Sequence, residues 1–384
     1  MDNAIVWDST ATYDLALSHQ VGKPWFGNAE IVTGINSLPL AVVNSPKRKI
    51  AFVYYFFGKG LDIDLSWADL VVCLNWEVIN DEFEQHYDIA RKHFNNNNII
   101  FIIGGTPHLQ QTQEHKRFLC PYLSFLNKVV FTNESTDYDY LSPRPYVFDA
   151  LLGGIKFHRK IIFDKLYTSG LLAKSLVNMT PAPGDYCFDG TGYEFTVTDF
   201  QEYASPELDK FENPVILEFK KAAVTIEQKH SVNSIPNVYY KGTNCYQPSM
   251  SFIVPDRIYQ NCWYSIVAET NYKSHNFLTE KTAKPLFAKR IFVCFGSQGH
   301  LKFLQAQGFK TFHGIIDESY DNEPDHVRRY EMAWQQIITL AESDPVKIYQ
   351  QAIPILDYNF NQLNRVADRM QQVQEFIQSF WKQI

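Results

Sequence analysis

Residues 265–297 combine an acid, a base and small polar residues at the ends of apolar runs. Glu269 ends the first apolar run, the triplet Thr279-Glu280-Lys281 follows a polar loop, and Gly296-Ser297 ends the second run. A carboxylate can accept hydrogen bonds from the paired hydroxyls of a sugar, and an ammonium group can neutralise a phosphate. These residue types therefore suit a ligand that carries both a sugar and a phosphate.

The two apolar runs predict strands, and the segment between them predicts a helix that begins at Thr279. The Thr279 hydroxyl can accept a free backbone N–H and cap this helix. Glu280 and Lys281 then lie in the first turn, where the helix dipole favours an anion. In open α/β sheets, ligands bind beyond the carboxyl ends of the strands, where these residues are expected. Alternatively, the triplet is an ordinary helix start with a solvated ion pair.

The rest of the chain repeats the alternation of strand and helix. Apolar runs that end at Gly58, Glu77, Gly105 and near Glu134 predict buried parallel strands, and residues 80–94 between two of them show helical spacing. We predict an α/β protein with two Rossmann-like domains, residues 1–150 and 151–384, facing one another across a cleft. The segment "LSPRPYVFDALLGG" is expected to cross between the domains, "FKTF" to form a strand, and the C-terminal helices to pack onto the protein.

Residues 263–322 resemble the donor-binding segment of the α-1,3-fucosyltransferase family. The elements that carry the resemblance are "YSIVAETN" with Glu269, "NFLTEK" with Phe277, Thr279, Glu280 and Lys281, and "RIFVCFGS" with Gly296 and Ser297. A weaker match is "HRKIIFDKL", where Arg159 corresponds to a family arginine that grips a diphosphate. The resemblance implies a glycosyltransferase of the GT-B type, with a nucleotide-sugar donor in the C-terminal domain and an acceptor at the N-terminal one.

The sequence departs from the family pattern at three points. Phe277 replaces the usual tyrosine, so the phenolic hydrogen bond is lost. The asparagine that normally follows Glu269 is displaced, which leaves Thr270 or Asn271 as its counterpart, and the loop is one residue longer. A GDP-sugar is favoured as donor, but these departures leave both the nucleotide and the sugar, fucose included, open.

An inverting transfer needs a carboxylate that takes the proton of the acceptor hydroxyl. The family places this base after a strand of the N-terminal domain, where Glu134 is our first candidate and Glu77 the second. Asp149 is a further acid near the domain crossing, and His108 and His158 are alternatives for contacting the acceptor. The acidic segment around Asp317, Glu318 and Asp321 is expected to be a solvated loop, so neither a metal nor another cofactor is required.

Composition narrows the classes of function. The 384-residue chain has a formal net charge of -7, which argues against a nucleic-acid binder. The six scattered cysteines favour a reducing compartment, and the absence of a long apolar run and of a signal peptide predicts a soluble, cytoplasmic protein. A nicotinamide-dependent oxidoreductase is disfavoured because neither glycine-rich segment has the GxGxxG spacing. A noncatalytic protein that binds a nucleotide-sugar or glycan on the same fold is the alternative to a transferase.

Overall fold

A computed structural model of the protein describes residues 4–8, 30–33, 40–56, 59–60, 63–78, 83–106, 117–119, 139–154, 157–180, 238–240, 243–245, 254, 256–272 and 276–384. Among the helices of these residues, none combines the length and apolar character needed to cross a membrane.

The chain forms two compact units, and each is made of separate segments. Unit 1 comprises Met1–Val130, His230–Ser249 and Arg365–Ile384, and unit 2 comprises Phe131–Lys229 and Met250–Asn364. The domain boundary predicted at residue 150 falls inside a strand of unit 2.

Unit 1 contains a largely parallel sheet flanked by helices. Its elements are β1 (Ile5–Asp8), β2 (Glu30–Thr33), α1 (Leu40–Val43), β3 (Lys49–Phe56), β4 (Lys59–Gly60), β5 (Leu70–Val78), α2 (Phe83–Phe94), β6 (Ile99–Thr106) and β7 (Arg117–Leu119). The parallel strands follow the order β7-β6-β5-β3-β1-β2, and β4 lies antiparallel to β3. Central strands buried on both faces are what the apolar runs predict.

Unit 2 contains a second parallel sheet, which carries the candidate site. The first elements of unit 2 are β8 (Tyr146–Gly154), α3 (Phe157–Thr168) and β9 (Ser175–Thr180). The chain then forms the hairpin of β10 (Val238–Tyr240) and β11 (Thr243–Cys245), which belongs to unit 1. The remaining elements of unit 2 are α4 (Asp256–Asn261), β12 (Cys262–Ala268), β13 (Asn276–Phe277), α5 (Glu280–Phe287), β14 (Ile291–Phe295), α6 (His300–Ala306), α7 (His326–Glu342) and α8 (Pro345–Asn364). The strand order is β14-β12-β8-β9, and all pairs are parallel. The prediction of an α/β fold with parallel sheets is confirmed.

The C-terminal helix α9 (Val366–Trp381) packs onto unit 1, as predicted. The Arg48 guanidinium lies 3.8 Å from the centre of the Trp381 ring and donates to the Trp381 carbonyl at 3.0 Å. On the same helix, Phe376 contacts Phe118 of β7. These contacts bury one face of an amphipathic helix against its own chain.

Two sequence-based expectations about unit 2 are wrong. The segment expected to cross between domains contains strand β8, because both of its prolines precede the strand and its glycines end it. The segment "FKTF" (309–312) is not a strand. Several of its backbone groups bond to side chains instead of to a neighbouring strand: Asn359 bonds both the N–H and the C=O of Lys310, and Glu318 accepts from the Phe312 N–H.

Candidate functional site

The candidate site lies at the carboxyl ends of β8 and β12 in unit 2. The chain runs from β8 through α3 to β9 on one side, and from β12 through α5 to β14 on the other. Neighbouring strands whose connections diverge in this way open a crevice in which ligands bind. His158 in the first turn of α3 joins the two sides, because its Nε2 lies 2.9 Å from the Glu269 carbonyl oxygen. A carbonyl only accepts, so Nε2 carries the proton.

Glu269 follows β12 and is only 1% exposed. Its Oε2 accepts from the Thr279 hydroxyl at 2.6 Å and the Thr270 N–H at 3.2 Å. Its Oε1 accepts from the Thr282 hydroxyl at 2.5 Å and the Thr279 N–H at 3.4 Å. The buried carboxylate therefore ties the end of β12 to the start of α5. Its predicted part in donor binding stays a prediction.

The predicted cap of α5 is confirmed. Thr279 has an extended backbone (φ −107°, ψ 179°), and its hydroxyl oxygen accepts from the Lys281 N–H at 3.2 Å. The hydroxyl proton is donated to Glu269, so one side chain both caps the helix and anchors it to the sheet. One turn later, the Thr282 hydroxyl lies 3.3 Å from His300 Nε2. Because Thr282 donates its proton to Glu269, it accepts here, and Nε2 of His300 is the donor.

Glu280 and Lys281 form an ion pair in the first turn of α5. Lys281 Nζ lies 2.7 Å from Glu280 Oε1 and donates to the Thr270 hydroxyl at 3.2 Å. The two side chains keep 23% and 14% of their surface exposed, unlike the buried Glu269 and Thr279. The charged groups of the predicted triplet are therefore the part that solvent, and hence a ligand, can reach.

Arg159 lies in the first turn of α3 and is buried. Burial lowers the pKa of its guanidinium, and the charges of Glu280 and Glu269 partly oppose this effect. The structure thus brings Arg159 into electrostatic contact with two acids of the β12–α5 connection, from the opposite side of the crevice. The weaker part of the family resemblance implied a donor-binding role for Arg159, and that role stays a prediction.

The end of β14 is held by buried polar contacts. The Ser297 hydroxyl lies 2.5 Å from Asn276 Oδ1, and Asn276 Nδ2 donates to the Gln298 carbonyl at 3.0 Å. A Cβ at Gly296 would lie 3.1 Å from His300 Cγ, so glycine allows α6 to begin close to the strand end. Gly296 therefore lets α6 begin directly after β14, and Ser297 ties this turn to Asn276.

Arg329 on α7 forms hydrogen bonds to three of the loops that adjoin the site. Its guanidinium donates to the carbonyl oxygens of Gly296 at 3.1 Å, Glu323 at 2.7 Å and Tyr272 at 2.5 Å. These carbonyls belong to three different connections. One buried side chain therefore fixes their relative positions.

We expect Arg329→Met to lower the free energy of unfolding by about 3 kcal/mol, because buried carbonyl oxygens lose a charged donor. Arg328→Met is the matched control. Arg328 is 74% exposed in a surface ion pair, so a change within about 0.5 kcal/mol is expected. Urea-induced unfolding measures both, and equal effects of the two substitutions would contradict the structural role of Arg329.

The expectation of a solvated loop around Asp317, Glu318 and Asp321 is wrong, because Glu318–Asn322 forms a short 3-10 helix and Asp321 is buried. Asp321 accepts from the Leu301 N–H at 2.9 Å and the Lys302 N–H at 3.1 Å, so it satisfies the N-terminus of α6. Glu318 accepts from the Thr311 hydroxyl at 2.6 Å. Among the residues that the structure describes, no group of three or more histidine, cysteine, aspartate or glutamate side chains is arranged to hold a metal ion.

The remaining predicted residues are distributed as follows. Asn271 is buried after β12, and Phe277 lies in β13. Glu77 lies in β5, where the pairing with β6 shifts register between Asn75 and Val78. The first candidate base, Glu134, lies outside the described residues, as does His108. Both remain predictions.

Sequence reasoning missed three residues that organise the site: Thr282, His300 and Arg329. The spacing of Thr279 and Thr282 is a usable signal, because residues three apart share a helix face and both hydroxyls can reach the preceding acid. His300 and Arg329 gave no such signal, since their partners lie in other elements.

Comparisons of this chain with protein-family models, with curated proteins and with solved structures find no match. The interpretation of the site therefore depends on the chain's own residues and their geometry.

Proposed function

We propose that the protein is an inverting glycosyltransferase that binds a nucleotide-sugar donor in unit 2 and transfers the sugar to a hydroxyl acceptor. The observation that carries the proposal is the partly exposed Glu280–Lys281 pair. It lies at the capped start of α5, in the crevice at the carboxyl ends of β8 and β12. The resemblance of residues 263–322 to α-1,3-fucosyltransferases supports it. A GT-B arrangement of two facing Rossmann-like domains is part of the proposal.

The diphosphate of the donor is proposed to bind at the partly exposed Lys281, with the buried Arg159 acting on it through its charge. Lys281 contributes a positive charge at a helix N-terminus, and Arg159 contributes a second charge from α3. As the bond to the anomeric carbon breaks, these charges stabilise the negative charge on the leaving diphosphate. Glu280 accepts hydrogen bonds from hydroxyls of the ribose or the sugar. GDP is the favoured nucleotide.

The acceptor is proposed to be activated by a carboxylate. The base removes the proton of the acceptor hydroxyl while its oxygen attacks the anomeric carbon, and the configuration is inverted. Glu134 and Glu77 are the proposed bases, in that order. Replacing each by glutamine should lower the transfer rate about 100-fold or more for the residue that acts as base, with donor binding retained.

Calorimetric binding of GDP, UDP, CMP and their sugar conjugates tests the proposal. We expect one nucleotide family to bind, and Lys281→Met to weaken its binding about 10- to 100-fold because a charge-assisted hydrogen bond to phosphate is lost. Lys289→Met is the matched control: Lys289 is equally exposed (14%) and ion-paired, but it follows the end of α5 rather than its start.

The outcomes of this titration distinguish the proposed donor site from its alternatives. If no nucleotide binds, or if Lys289→Met weakens binding as much as Lys281→Met, the proposed donor site is wrong. Binding without sugar transfer or donor hydrolysis would favour the second candidate, a noncatalytic binding protein. The observation in favour of that candidate is that Glu280 and Lys281 form an ion pair with one another.

A further inference from the structure

One buried hydrogen bond joins the first turn of α5 to the first residue of α6. His300 is 2% exposed and Thr282 is fully buried, and His300 Nε2 lies 3.3 Å from the Thr282 hydroxyl oxygen. The same nitrogen lies 3.9 Å from Glu269 Oε1. Side chains from the end of β12, from α5 and from α6 therefore meet in one buried group.

The hydrogen bonds of this group have a defined direction. The Thr282 hydroxyl has a single proton, which it donates to Glu269 Oε1 at 2.5 Å. His300 Nε2 donates to the oxygen of the same hydroxyl. Without such a donor, the hydroxyl of a helical threonine commonly bonds to a backbone carbonyl of the preceding turn. His300 therefore favours the orientation in which Thr282 bonds to the carboxylate, and the two hydrogen bonds strengthen one another.

His300 is itself held from the side of β14 and not from α5. Its Cγ lies 3.1 Å from the position that a Cβ on Gly296 would take, so the imidazole packs directly on the backbone after the strand. The N-terminus of its helix is fixed by Asp321, whose carboxylate accepts from the Leu301 and Lys302 N–H groups. The imidazole is therefore a fixed donor against which the first turn of α5 is placed.

We propose that His300 is a positioning residue for the anion-binding site at the start of α5. Thr282 directly follows Lys281 in the helix, so the hydrogen bonds of Thr282 fix the backbone from which the Lys281 side chain extends. His300 is too deeply buried to touch a ligand, and it acts through Thr282 and Glu269. The inference deepens the proposed function and rests on it for the identity of the ligand.

The first experiment is a calorimetric titration with GDP. His300→Phe keeps an aromatic ring but removes the donor, and we expect it to weaken binding about tenfold. His300→Gln places an amide N–H near the position of Nε2, so an affinity within about threefold of the wild type is expected. His313→Phe is the matched control, because His313 is exposed and its replacement should leave the affinity unchanged.

A double-mutant cycle shows whether His300 acts through Thr282. Thr282→Val removes the hydroxyl, keeps the shape of the side chain and should weaken GDP binding about as much as His300→Phe. In the Thr282→Val background, His300→Phe should change the affinity by less than about twofold, because both substitutions break the same connection. Equal effects of His300→Phe in both backgrounds, or no recovery in His300→Gln, would show that His300 only fills space.

Amide hydrogen exchange tests the same inference without a nucleotide. The Lys281 N–H donates to the Thr279 hydroxyl oxygen, so its exchange reports whether the first turn of α5 is held in place. We expect this amide to exchange about tenfold faster in His300→Phe and in Thr282→Val, and at the wild-type rate in His313→Phe. Thr282→Val provides both measurements if His300→Phe does not fold.

The outcomes separate this inference from the proposed function. GDP binding that is equally tight in the wild type, His300→Phe and Thr282→Val would overturn the positioning role and leave the donor site intact. If GDP does not bind to the wild type, GDP is wrong as the donor nucleotide, and the exchange of the Lys281 amide decides the positioning role. Faster exchange in His300→Phe but not in His313→Phe would then support it, and unchanged exchange would overturn it.

Discussion

Replacing Glu269 by glutamine is expected to lower the free energy of unfolding of unit 2 by about 3 kcal/mol. The wild-type carboxylate accepts from two threonine hydroxyls and two backbone N–H groups while 1% exposed. Glutamine keeps the shape but replaces one accepting oxygen with an NH₂ donor. A donor then faces backbone N–H donors at a site that is 1% exposed.

The comparison that tests this prediction is with Glu280→Gln. Glu280 is also a glutamate at the start of α5, but its side chain is 23% exposed and its ion pair is with a neighbour in sequence. We expect a change within about 1 kcal/mol there. Urea-induced unfolding gives both values, and hydrogen exchange of the Thr279, Glu280 and Lys281 amides locates the effect. Equal stabilities of Glu269→Gln and the wild type would contradict the anchoring role of the carboxylate.

Asp149 and Lys284 together are expected to contribute least to the free energy of unfolding of unit 2 between pH 7 and pH 8. The pKa of Asp149 is about 7 in the folded protein and 3.8 ordinarily, so the folded state binds this proton more tightly. The stability that it contributes is present below pH 3.8 and is lost as pH rises through 7. The pKa of Lys284 is about 8 against an ordinary 10.5, so its contribution is present above pH 10.5 and is lost as pH falls through 8.

The free energy of unfolding measured at a series of pH values checks this expectation. Between pH 4 and 7, Asp149 contributes a decrease of at most about 1.4 kcal/mol per pH unit. Asp149→Asn should remove that decrease, because the amide resembles the protonated carboxyl and does not titrate. Lys284→Met should remove the increase between pH 8 and 10.5. Wild-type slopes that persist in both variants would show that other groups titrate.

Much of unit 2 could be predicted from local sequence patterns. The runs "WYSIVA" and "IFVCF" are apolar at every position apart from a single serine, which fits strands buried on both faces. Thr279 before Glu280 indicated a helix start, and the structure has the expected cap. Parallel connectivity then placed both strand ends at one edge of the sheet. Each of these inferences depends on neighbours in sequence.

The sequence by itself determined the alternation of strands and helices and the start of α5, because propensity, capping and apolar periodicity act over a few residues. Only the tertiary structure decided how each polar side chain is used. It bonded Glu269 to the threonines of α5, left Glu280 and Lys281 accessible, and buried Asp149 beside Ser265. The sequence does not show whether a carboxylate is exposed or is buried with its acceptor sites occupied by hydrogen bonds. Its burial and partners come from residues distant in the chain, which meet only when the sheet is assembled.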